Sequence, residues 1–295
     1  MPKKEIPMLV PMPRLLDAAA RENYALIAPD FLTLNMLELE LDIAQALNTP
    51  VILSYPAMAL DRFRPFRSWT QKLLDRCRNA DLPVCLHLDH GKSVKACLRA
   101  IEAGFTSVMI DGSAHDFETN VAMTRAVVRA AKKQEVSVEG EIGHVGSGQG
   151  VVEKSRIETR LTRPEEAQHF AQRTGVDALA VSVGTCHGLY RGEPHIDRNR
   201  LAAINQQVEI PLVLHGGSGT GRENLEMAVG LGIRKINLFT EFFHPYVAES
   251  WKYLGKHPWG IFVPAEKRRR QRTVLEPILK KYFQVSGSLG KAKGI

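Results

Sequence analysis

Short apolar runs alternate with longer amphipathic stretches along the whole chain. Runs such as Val-Ile-Leu-Ser at residues 51–54 are almost entirely apolar, as expected for parallel strands that are covered on both faces. The intervening stretches carry apolar residues at helical spacing, as Leu37, Leu41 and Ala44 do within residues 35–48. This pattern predicts about eight strands that alternate with eight or more helices.

The predicted strands cover residues 24–29, 50–54, 84–91, 106–111, 136–142, 178–183, 211–215 and 233–238. The predicted helices cover residues 13–23, 35–48, 67–80, 93–103, 117–134, 198–206 and 222–231, and a further helix opens at Thr162. Ser93 and Thr162 are the predicted helix caps, because a hydroxyl can accept a hydrogen bond from a free N–H of the first turn. The remainder is mostly helical, with a C-terminal helical segment from about residue 265.

The alternation of strands and helices predicts the fold class. A chain of 295 residues without a linker or an internal repeat fits a single domain over residues 1–295. We predict an α/β fold in which one (β/α)₈ TIM barrel accounts for all the strands. An open doubly wound sheet is the alternative, but no Gly-x-Gly-x-x-Gly sequence follows the first predicted strand.

Composition narrows the class of protein and its partners. Hydrophobic residues make up 44% and charged residues 24%, which is ordinary for a globular protein. A net charge of +7 suits a small anionic substrate or weak binding to polyanions. The densest basic run, residues 267–272, also falls on a predicted helix, so we interpret it as a solvated helix face. No nucleic-acid-binding motif accompanies it, and we predict no nucleic-acid partner.

The cysteines and the apolar runs indicate a compartment. The four cysteines form no Cys-x-x-Cys pair, which favours reduced thiols in a cytosolic, hence cytoplasmic, protein. No apolar run approaches 18 residues, so we predict no membrane span and no membrane partner.

The carboxyl ends of the predicted strands carry the candidate chemistry, because barrel active sites form there. His87 and Asp89 share one face of the third strand, and Glu139 and Glu141 share one face of the fifth. His90, His187 and His215 stand at equivalent strand ends, each directly before a glycine. Three imidazoles with an open fourth position describe a catalytic zinc site. Any one of them alone is more often a hydrogen-bonded turn histidine.

A second candidate site follows the seventh predicted strand. His215-Gly-Gly-Ser-Gly precedes a helix and can present backbone N–H groups to an anion. Asn237 and Thr240 at the end of the next strand can complete such a site. Many barrels bind phosphate at this position, so we predict a phosphate site here.

These strand ends together resemble those of class II, zinc-dependent ketose-bisphosphate aldolases, closest in style to the fructose- and tagatose-bisphosphate branches. The resemblance extends from about residue 12 to residues 287–291. The motifs that carry it are Leu86-His-Leu-Asp-His-Gly, Ser107-Val-Met-Ile-Asp-Gly-Ser, Val138-Glu-Gly-Glu-Ile-Gly, Val183-Gly-Thr-Cys-His-Gly-Leu-Tyr, Leu214-His-Gly-Gly-Ser-Gly and Lys235-Ile-Asn.

The resemblance implies a role for each matched residue. It implies that His90, His187 and His215 hold Zn²⁺, and that Glu141 and Asp111 contact a second or displaced metal. Asp89 would exchange a proton with the hydroxyl that becomes the aldehyde oxygen. The implied binding residues for the dihydroxyacetone phosphate half are Gly188, Gly216, Ser218, Asn237 and Thr240. A potassium or sodium ion (K⁺ or Na⁺) near the phosphate, and a homodimer or homotetramer, are also implied.

Two positions depart from the family pattern. The family's mobile loop usually carries a glutamate that acts as base at the α-carbon, whereas Gln149 stands at that place here. Phe239 stands where the last strand usually carries an acid. The α-carbon base is therefore open, and His144 and Glu153 are the candidates from the glycine-rich loop, which we expect to close over the substrate.

We therefore expect reversible, zinc-dependent aldol cleavage of a phosphorylated ketose to dihydroxyacetone phosphate and an aldehyde. Another metal-dependent lyase or epimerase acting on a sugar phosphate is one alternative, because a fold does not fix a reaction. A non-catalytic phosphosugar-binding protein is the other, although a pure binding site has no need of three convergent histidines.

Overall fold

The computed structural model describes residues 8–62, 65–152, 160–190, 192, 194–256, 263–293 and 295. The side chains at 147–152 and 189 lie outside this description. The strands are β1 (Leu26–Pro29), β2 (Val51–Pro56), β3 (Val84–Gly91), β4 (Ser107–Ile110), β5 (Ser137–Ile142), β6 (Ser147–Val152), β7 (Ala178–Val181), β8 (His187–Tyr190), β9 (Leu212–Leu214) and β10 (Ile233–Leu238).

The helices alternate with these strands. They are α1 (Met12–Arg21), α2 (Leu34–Ala46), α3 (Phe66–Arg78), α4 (Val94–Glu102), α5 (Phe117–Ala131), α6 (Pro164–Thr174), α7 (Arg198–Gln207), α8 (Arg222–Gly230), α9 (Thr240–Gly255) and α10 (Pro264–Val285). Two short 3₁₀ turns cover Ala57–Ala59 and Lys132–Gln134.

Eight parallel strands close into a barrel in the order β1-β10-β9-β7-β5-β4-β3-β2. Closure joins β1 to β10 through four residue pairs that run from Leu26 opposite Lys235 to Pro29 opposite Leu238. The predicted (β/α)₈ barrel is therefore confirmed, and the doubly wound alternative is wrong. Barrel closure aligns the carboxyl ends of all eight strands at one end, and this brings the candidate residues together.

Helix α1 closes the opposite end of the barrel. The backbone N–H of Met12 donates to Ser137 Oγ at 3.1 Å, at the start of β5. Met12, Leu15 and Leu16 are buried in one cluster with inward-facing residues of the barrel strands. The described side chains that fill this end are therefore mainly apolar.

Most predicted elements are observed, with shifts of a few residues at their ends. Ser93 caps α4 as predicted, since its Oγ accepts from the N–H of Ala96 at 3.2 Å. The prediction that Thr162 caps the next helix is wrong, because α6 begins at Pro164 and its capping residue makes no side-chain bond. The hydroxyl of Thr162 instead donates to Ile142 O at 2.6 Å and accepts from the Ser182 N–H at 2.8 Å. It thus joins β5 to the end of β7.

A small second sheet lies beside the barrel. Strand β6 falls within residues 144–153, which were predicted as a glycine-rich mobile loop, and it pairs in parallel with β8. The N–H of His187 donates to Gly146 O at 3.0 Å where the two segments meet. The segment after β5 is therefore held beside one of the three strand-end histidines.

The basic run lies on α10. Arg268 bonds Asp42 at 2.6 Å and also pairs with Glu38, both on α2. Arg270 bonds Glu249 of α9 at 2.7 Å. These acids neutralise much of the run, which supports its interpretation as a helix face. None of the described helices is long and apolar enough to cross a bilayer.

Candidate active site

A cavity of about 460 Å³ opens at the carboxyl ends of the barrel strands. It is lined by residues at or just after the ends of β1, β2, β3, β9 and β10, together with the start of β8. Asp89, His90, His187 and His215 are all on its wall, as the sequence predicted for a barrel active site. The cavity therefore coincides with the strand ends that carry the candidate chemistry.

The three histidines converge on one point. His90 Nε2 lies 3.1 Å from His187 Nε2 and 3.0 Å from His215 Nδ1. His90 adopts a left-handed backbone conformation with φ 49°. A non-glycine residue rarely takes this conformation unless its surroundings or its function hold it there. In this protein it turns the His90 ring toward the other two histidines.

Carboxylates behind two of these rings fix which nitrogens face the centre. Asp111 Oδ2 lies 2.8 Å from His90 Nδ1, and Glu139 Oε1 lies 3.0 Å from His215 Nε2. A carboxylate accepts only, so these outer nitrogens carry the protons, and the inner nitrogens present lone pairs in the neutral rings. Lone pairs that face each other at 3.0 Å need a cation between them, and metal-binding histidines are oriented by carboxylates in this way.

The electrostatics of the cluster favour one positive charge at its centre. Burial lowers the pKa of His187 to about 3 and the pKa of His215 well below its usual range. Burial also opposes charge on His90, but nearby carboxylates, Asp89 above all, outweigh it and raise the pKa of His90 to about 10. A proton on His90 Nε2 can bond only one of its two neighbours at a time, whereas a metal ion can bond all three nitrogens.

Asp111 and Glu141 form a second group with His90, within 4.8 Å of one another. Glu141 Oε1 accepts from the Val145 N–H at 3.1 Å, while its buried Oε2 makes no hydrogen bond among the described residues and lies 3.8 Å from His90 Nδ1. Burial and the charge of Asp111 raise the pKa of Glu141 to about 7. The ammonium of Lys92 pairs with Asp111 and so supplies one cation there already. A buried carboxyl oxygen without a hydrogen bond, in a His90–Asp111–Glu141 group of this kind, could hold a metal ion.

Asp89 is oriented by a residue from across the barrel. Asn237 Nδ2 donates to Asp89 Oδ1 at 2.9 Å, and both side chains are buried. Burial opposes ionisation of Asp89, but His90, His215 and Lys235 overcome it and lower its pKa. Asp89 is therefore an oriented carboxylate on the cavity wall and a suitable group for exchanging a proton with a substrate hydroxyl.

The predicted phosphate-binding residues gather at the rim beside β8, β9 and β10. Gly188, Gly216, Ser218 and Thr240 all line the cavity there. Among the described residues, the backbone N–H groups of Gly216, Ser218 and Thr240 find no acceptor. Thr240 is also the first residue of α9, whose amino-terminal dipole favours an anion. Free N–H groups at a helix start form an anion site.

Two contacts limit this rim. The N–H of Gly219 donates to the Glu241 carboxylate at 2.8 Å, so it is not available to a ligand. Ser218 Oγ accepts from the N–H of Phe239 at 3.2 Å, which holds the rim in place.

The ring of Phe239 lies on the cavity wall and stacks on Phe243, with their centroids 4.7 Å apart. An apolar wall thus stands where the family pattern has an acid.

The two candidate bases differ in what the structure says of them. His144 Nδ1 lies 2.9 Å from Ser113 Oγ, and that hydroxyl donates to Asp111 at 2.7 Å. His144 is thereby linked through Ser113 to the Asp111 carboxylate, but it is not among the described residues that line the cavity. Glu153 and the Gln149 side chain lie outside what the structure describes.

Sequence reasoning missed a buried ion pair beneath the histidines. Lys235 Nζ donates to Glu139 Oε2 at 2.7 Å, and both side chains are fully buried. His87 lies 3.4 Å from Lys235, and its Nδ1 lies 2.8 Å from Ser107 Oγ. The inward spacing of His87 and Glu139 was visible in the sequence. Their pairing with Lys235 could not be read from the sequence, because Lys235 comes from a strand on the other side of the barrel.

Comparisons with known proteins agree with this geometry. The family model described as "Fructose-bisphosphate aldolase class-II" matches residues 10–291. The fructose-bisphosphate aldolase of Thermus caldophilus is 36% identical over 97% of this chain and 100% of its own. The 6-phospho-5-dehydro-2-deoxy-D-gluconate aldolase of Shouchella clausii is 40% identical over 97% of each chain.

Solved structures show the same likeness. The YdjI aldolase from Escherichia coli K12 superposes with a TM-score of 0.83 at 28% identity, over 97% of this chain and 100% of that one. That protein and the relatives above are named as aldolases, which are carbon–carbon lyases. Their names set aside the alternative of a non-catalytic binding protein. The chain belongs to the class II fructose-bisphosphate aldolase family and is an enzyme of the lyase class.

Proposed function

We propose that the enzyme catalyses the reversible, zinc-dependent cleavage of a phosphorylated ketose to dihydroxyacetone phosphate and an aldehyde. The observation that carries this proposal is the convergence of three histidine nitrogens beside the oriented Asp89 carboxylate, on a cavity with an anion rim. A metal site, a proton-exchanging group and a phosphate site are the three parts that this reaction needs.

His90, His187 and His215 would hold the zinc ion, and Glu141 with Asp111 would receive a second or displaced metal. Zinc when bound supplies a Lewis acid that polarises the substrate carbonyl. Three histidines with an open fourth position suit zinc better than calcium or magnesium, which prefer oxygen ligands. The implied potassium or sodium ion near the phosphate stays a prediction.

The protein's own groups would do the remaining work. Gly188, Gly216, Ser218 and Thr240 would bind the phosphate through the rim, and Asn237 would contact the same half of the substrate. Asp89 would take the proton from the hydroxyl that becomes the aldehyde oxygen and would return it in the aldol direction. The hydrogen bond from Asn237 would keep Asp89 Oδ2 free for this transfer.

We propose His144 as the base at the α-carbon, with Glu153 as the other candidate. The hydroxyl of Ser113 accepts from His144 Nδ1, because that hydroxyl donates its own proton to Asp111. In the neutral imidazole this arrangement puts the proton on Nδ1, so the lone pair that could accept a proton is on Nε2. Closure of the loop that follows β5 would have to bring His144 to the substrate.

The names of the relatives fit two substrates for this site. One is fructose bisphosphate, and the other is 6-phospho-5-dehydro-2-deoxy-D-gluconate. The first is a phosphorylated ketose and the second a phosphorylated keto sugar acid, and in both the keto carbon lies next to a carbon that bears phosphate, so both could release dihydroxyacetone phosphate. A lyase or epimerase that acts on another sugar phosphate remains the second candidate, and the replacement by Phe239 favours a changed substrate wall.

Proton exchange at the α-carbon of dihydroxyacetone phosphate in heavy water tests the proposal. Exchange should require zinc and should occur without any aldehyde, because it uses only the donor half of the reaction. His144→Ala should abolish exchange if His144 is the base, with Glu153→Ala and Gln149→Ala as comparisons. Equal exchange in all three variants would place the base elsewhere, and no exchange by the zinc-loaded parent enzyme would refute aldolase chemistry.

We also propose a homodimer or homotetramer in the cytosol. Trp251 is 71% exposed and Leu254 37% exposed on α9, which supports association through that helix. The four described cysteines are free and buried, as suits a reducing compartment. Sedimentation equilibrium would test the oligomeric state, and a monomer at micromolar concentration would contradict it.

A further inference from the structure

Lys92 is a positively charged side chain on the cavity wall that the proposed reaction does not use. It follows β3 directly, lines the cavity, and its side chain is 64% exposed. The pairing with the buried Asp111 carboxylate is the one hydrogen bond that its ammonium makes among the described residues. An ammonium has three N–H donors. Donors therefore remain for a ligand in the cavity while the pair with Asp111 stays intact.

Lys92 lies across the cavity from the rim that carries the proposed phosphate site. The strand order β1-β10-β9-β7-β5-β4-β3-β2 puts β3 opposite β9 in the ring of eight strands. Lys92 follows β3, whereas Gly216 and Ser218 of the rim follow β9. Between these two sides, His90 of β3 and His215 after β9 meet at 3.0 Å. A ligand that continues from the rim past the histidines therefore reaches the side of Lys92.

Two contacts join Lys92 to the point where the histidines meet. The Asp111 carboxylate that bonds Lys92 lies 2.8 Å from His90 Nδ1. The other nitrogen of that ring, Nε2, is the one that meets His187 and His215. Lys92 is therefore one carboxyl group and one imidazole ring away from the proposed metal. A ketose whose carbonyl binds at the metal could reach Lys92 through a short carbon chain.

Lys92 also supplies the charge that an anion needs on this side of the cavity. Among the described residues that line the cavity, it is the one lysine or arginine. An anionic ligand group with no cation beside it would be repelled by the carboxylates of Asp89 and Asp111. Ser93 and Ala96 at the start of α4 line the cavity next to Lys92, and the amino-terminal dipole of a helix favours an anion.

We propose that Lys92 binds a second anionic group, a phosphate or a carboxylate, on the half of the substrate that leaves as the aldehyde. In the aldol direction Lys92 thereby selects anionic acceptor aldehydes over neutral ones. This specificity role rests on the proposed aldol reaction, but it concerns the acceptor half alone.

Aldol synthesis by the zinc-loaded enzyme from dihydroxyacetone phosphate and three acceptors tests the proposal. The acceptors are glyceraldehyde 3-phosphate, malonate semialdehyde and glyceraldehyde, which end in a phosphate, a carboxylate and a free hydroxyl. The parent enzyme should favour one of the two anionic acceptors over glyceraldehyde in kcat/KM, and the favoured one identifies the anion. Lys92→Met should lower this preference by roughly 10- to 100-fold, the contribution of a hydrogen bond between charged groups.

Lys95→Met is the matched control. Lys95 is an exposed residue of the same helix start, but it is not among the described residues that line the cavity. Its substitution removes the same charge and should leave the preference unchanged. An equal shift in Lys95→Met and Lys92→Met would mean that the charge acts from a distance, and would overturn the contact role of Lys92. Lys92→Arg, which keeps a cation at the position, should retain much of the preference.

The comparison between acceptors separates binding from effects on the metal site. Loss of the pair with Asp111 changes the surroundings of the metal for all three acceptors, so this effect cancels in their ratio. An equal loss of kcat/KM with all three in Lys92→Met would make Lys92 a counter-ion of Asp111 only and would refute the proposal, as would a parent enzyme that favours glyceraldehyde. Exchange of the dihydroxyacetone phosphate α-proton needs no acceptor and tests the reaction separately. Exchange together with either of these results would refute the Lys92 proposal alone, whereas no exchange by the zinc-loaded parent would refute the proposed function.

Discussion

Replacing Glu139 by glutamine tests whether the buried acid beneath the histidines prepares the metal site. Glu139 uses one oxygen for His215 Nε2 and the other for Lys235 Nζ. A glutamine can accept from only one of them through its single carbonyl oxygen. If it accepts from His215, its amide hydrogens face the Lys235 ammonium. If it accepts from Lys235, its amide donates to His215 Nε2 and shifts the ring proton to Nδ1, the nitrogen that should face the metal.

The magnitudes follow from burial and distance. At an effective dielectric constant of about 20, unit charges separated by the observed 2.7 Å attract by about 6 kcal/mol. Leaving one member of a buried ion pair unpaired typically lowers the free energy of unfolding by about 3–5 kcal/mol. Loss of a carboxylate that orients a histidine ligand typically weakens metal binding by about 10- to 100-fold. We therefore expect Glu139→Gln to lower both stability and zinc affinity.

Two measurements that need no turnover check this expectation. Urea unfolding of the metal-free protein gives the stability change, and competition with a chromophoric chelator gives the zinc affinity. The double variant Glu139→Gln/Lys235→Met should recover much of the stability, because the unpaired ammonium is gone, but little of the zinc affinity. Glu209→Gln, at an exposed position, is the control. Unchanged zinc affinity in Glu139→Gln would refute the idea that Glu139 sets the His215 proton.

Three further predictions concern the site. Asp89→Ala should keep its zinc while turnover falls by about 10²- to 10⁴-fold, the usual contribution of a general acid–base group. If elemental analysis instead shows that zinc is lost, Asp89 is a metal ligand. His215→Ala should lose both zinc and activity, whereas the control His169→Ala, on the exposed face of α6, should keep roughly one zinc per chain. Full activity of the parent enzyme after treatment with a chelator would contradict a metal site. Gly216→Ala should lower the free energy of unfolding in urea by about 1–3 kcal/mol and weaken dihydroxyacetone phosphate binding in calorimetry, because Gly216 has φ +70° and an added Cβ would lie 2.3 Å from Cys186 O. Unchanged binding would mean that the phosphate binds elsewhere.

The sequence by itself determined the fold class and the inner part of the site. Apolar runs that alternate with amphipathic helices predict a parallel barrel, because a strand that is buried on both faces is apolar at nearly every position. A histidine at the end of a strand, or a few residues after it, also lies at the carboxyl end of a barrel. His90, His187 and His215 could therefore be grouped from sequence, and the structure brings their nitrogens together. Ser93 was predictable as a cap because its contacts are local.

Only the tertiary structure decided which groups meet across the barrel. Lys235 and Glu139 are 96 residues apart in sequence, and nothing local to either predicts their pairing. Asn237 reaches Asp89 across 148 residues for the same reason. Thr162 has the sequence of a helix cap, yet its hydroxyl joins β5 to β7 because two backbone groups with free hydrogen-bonding capacity lie within its reach. Local propensity specifies elements and their ends, but barrel closure sets distances between strands, and a buried polar group bonds whatever closure places beside it.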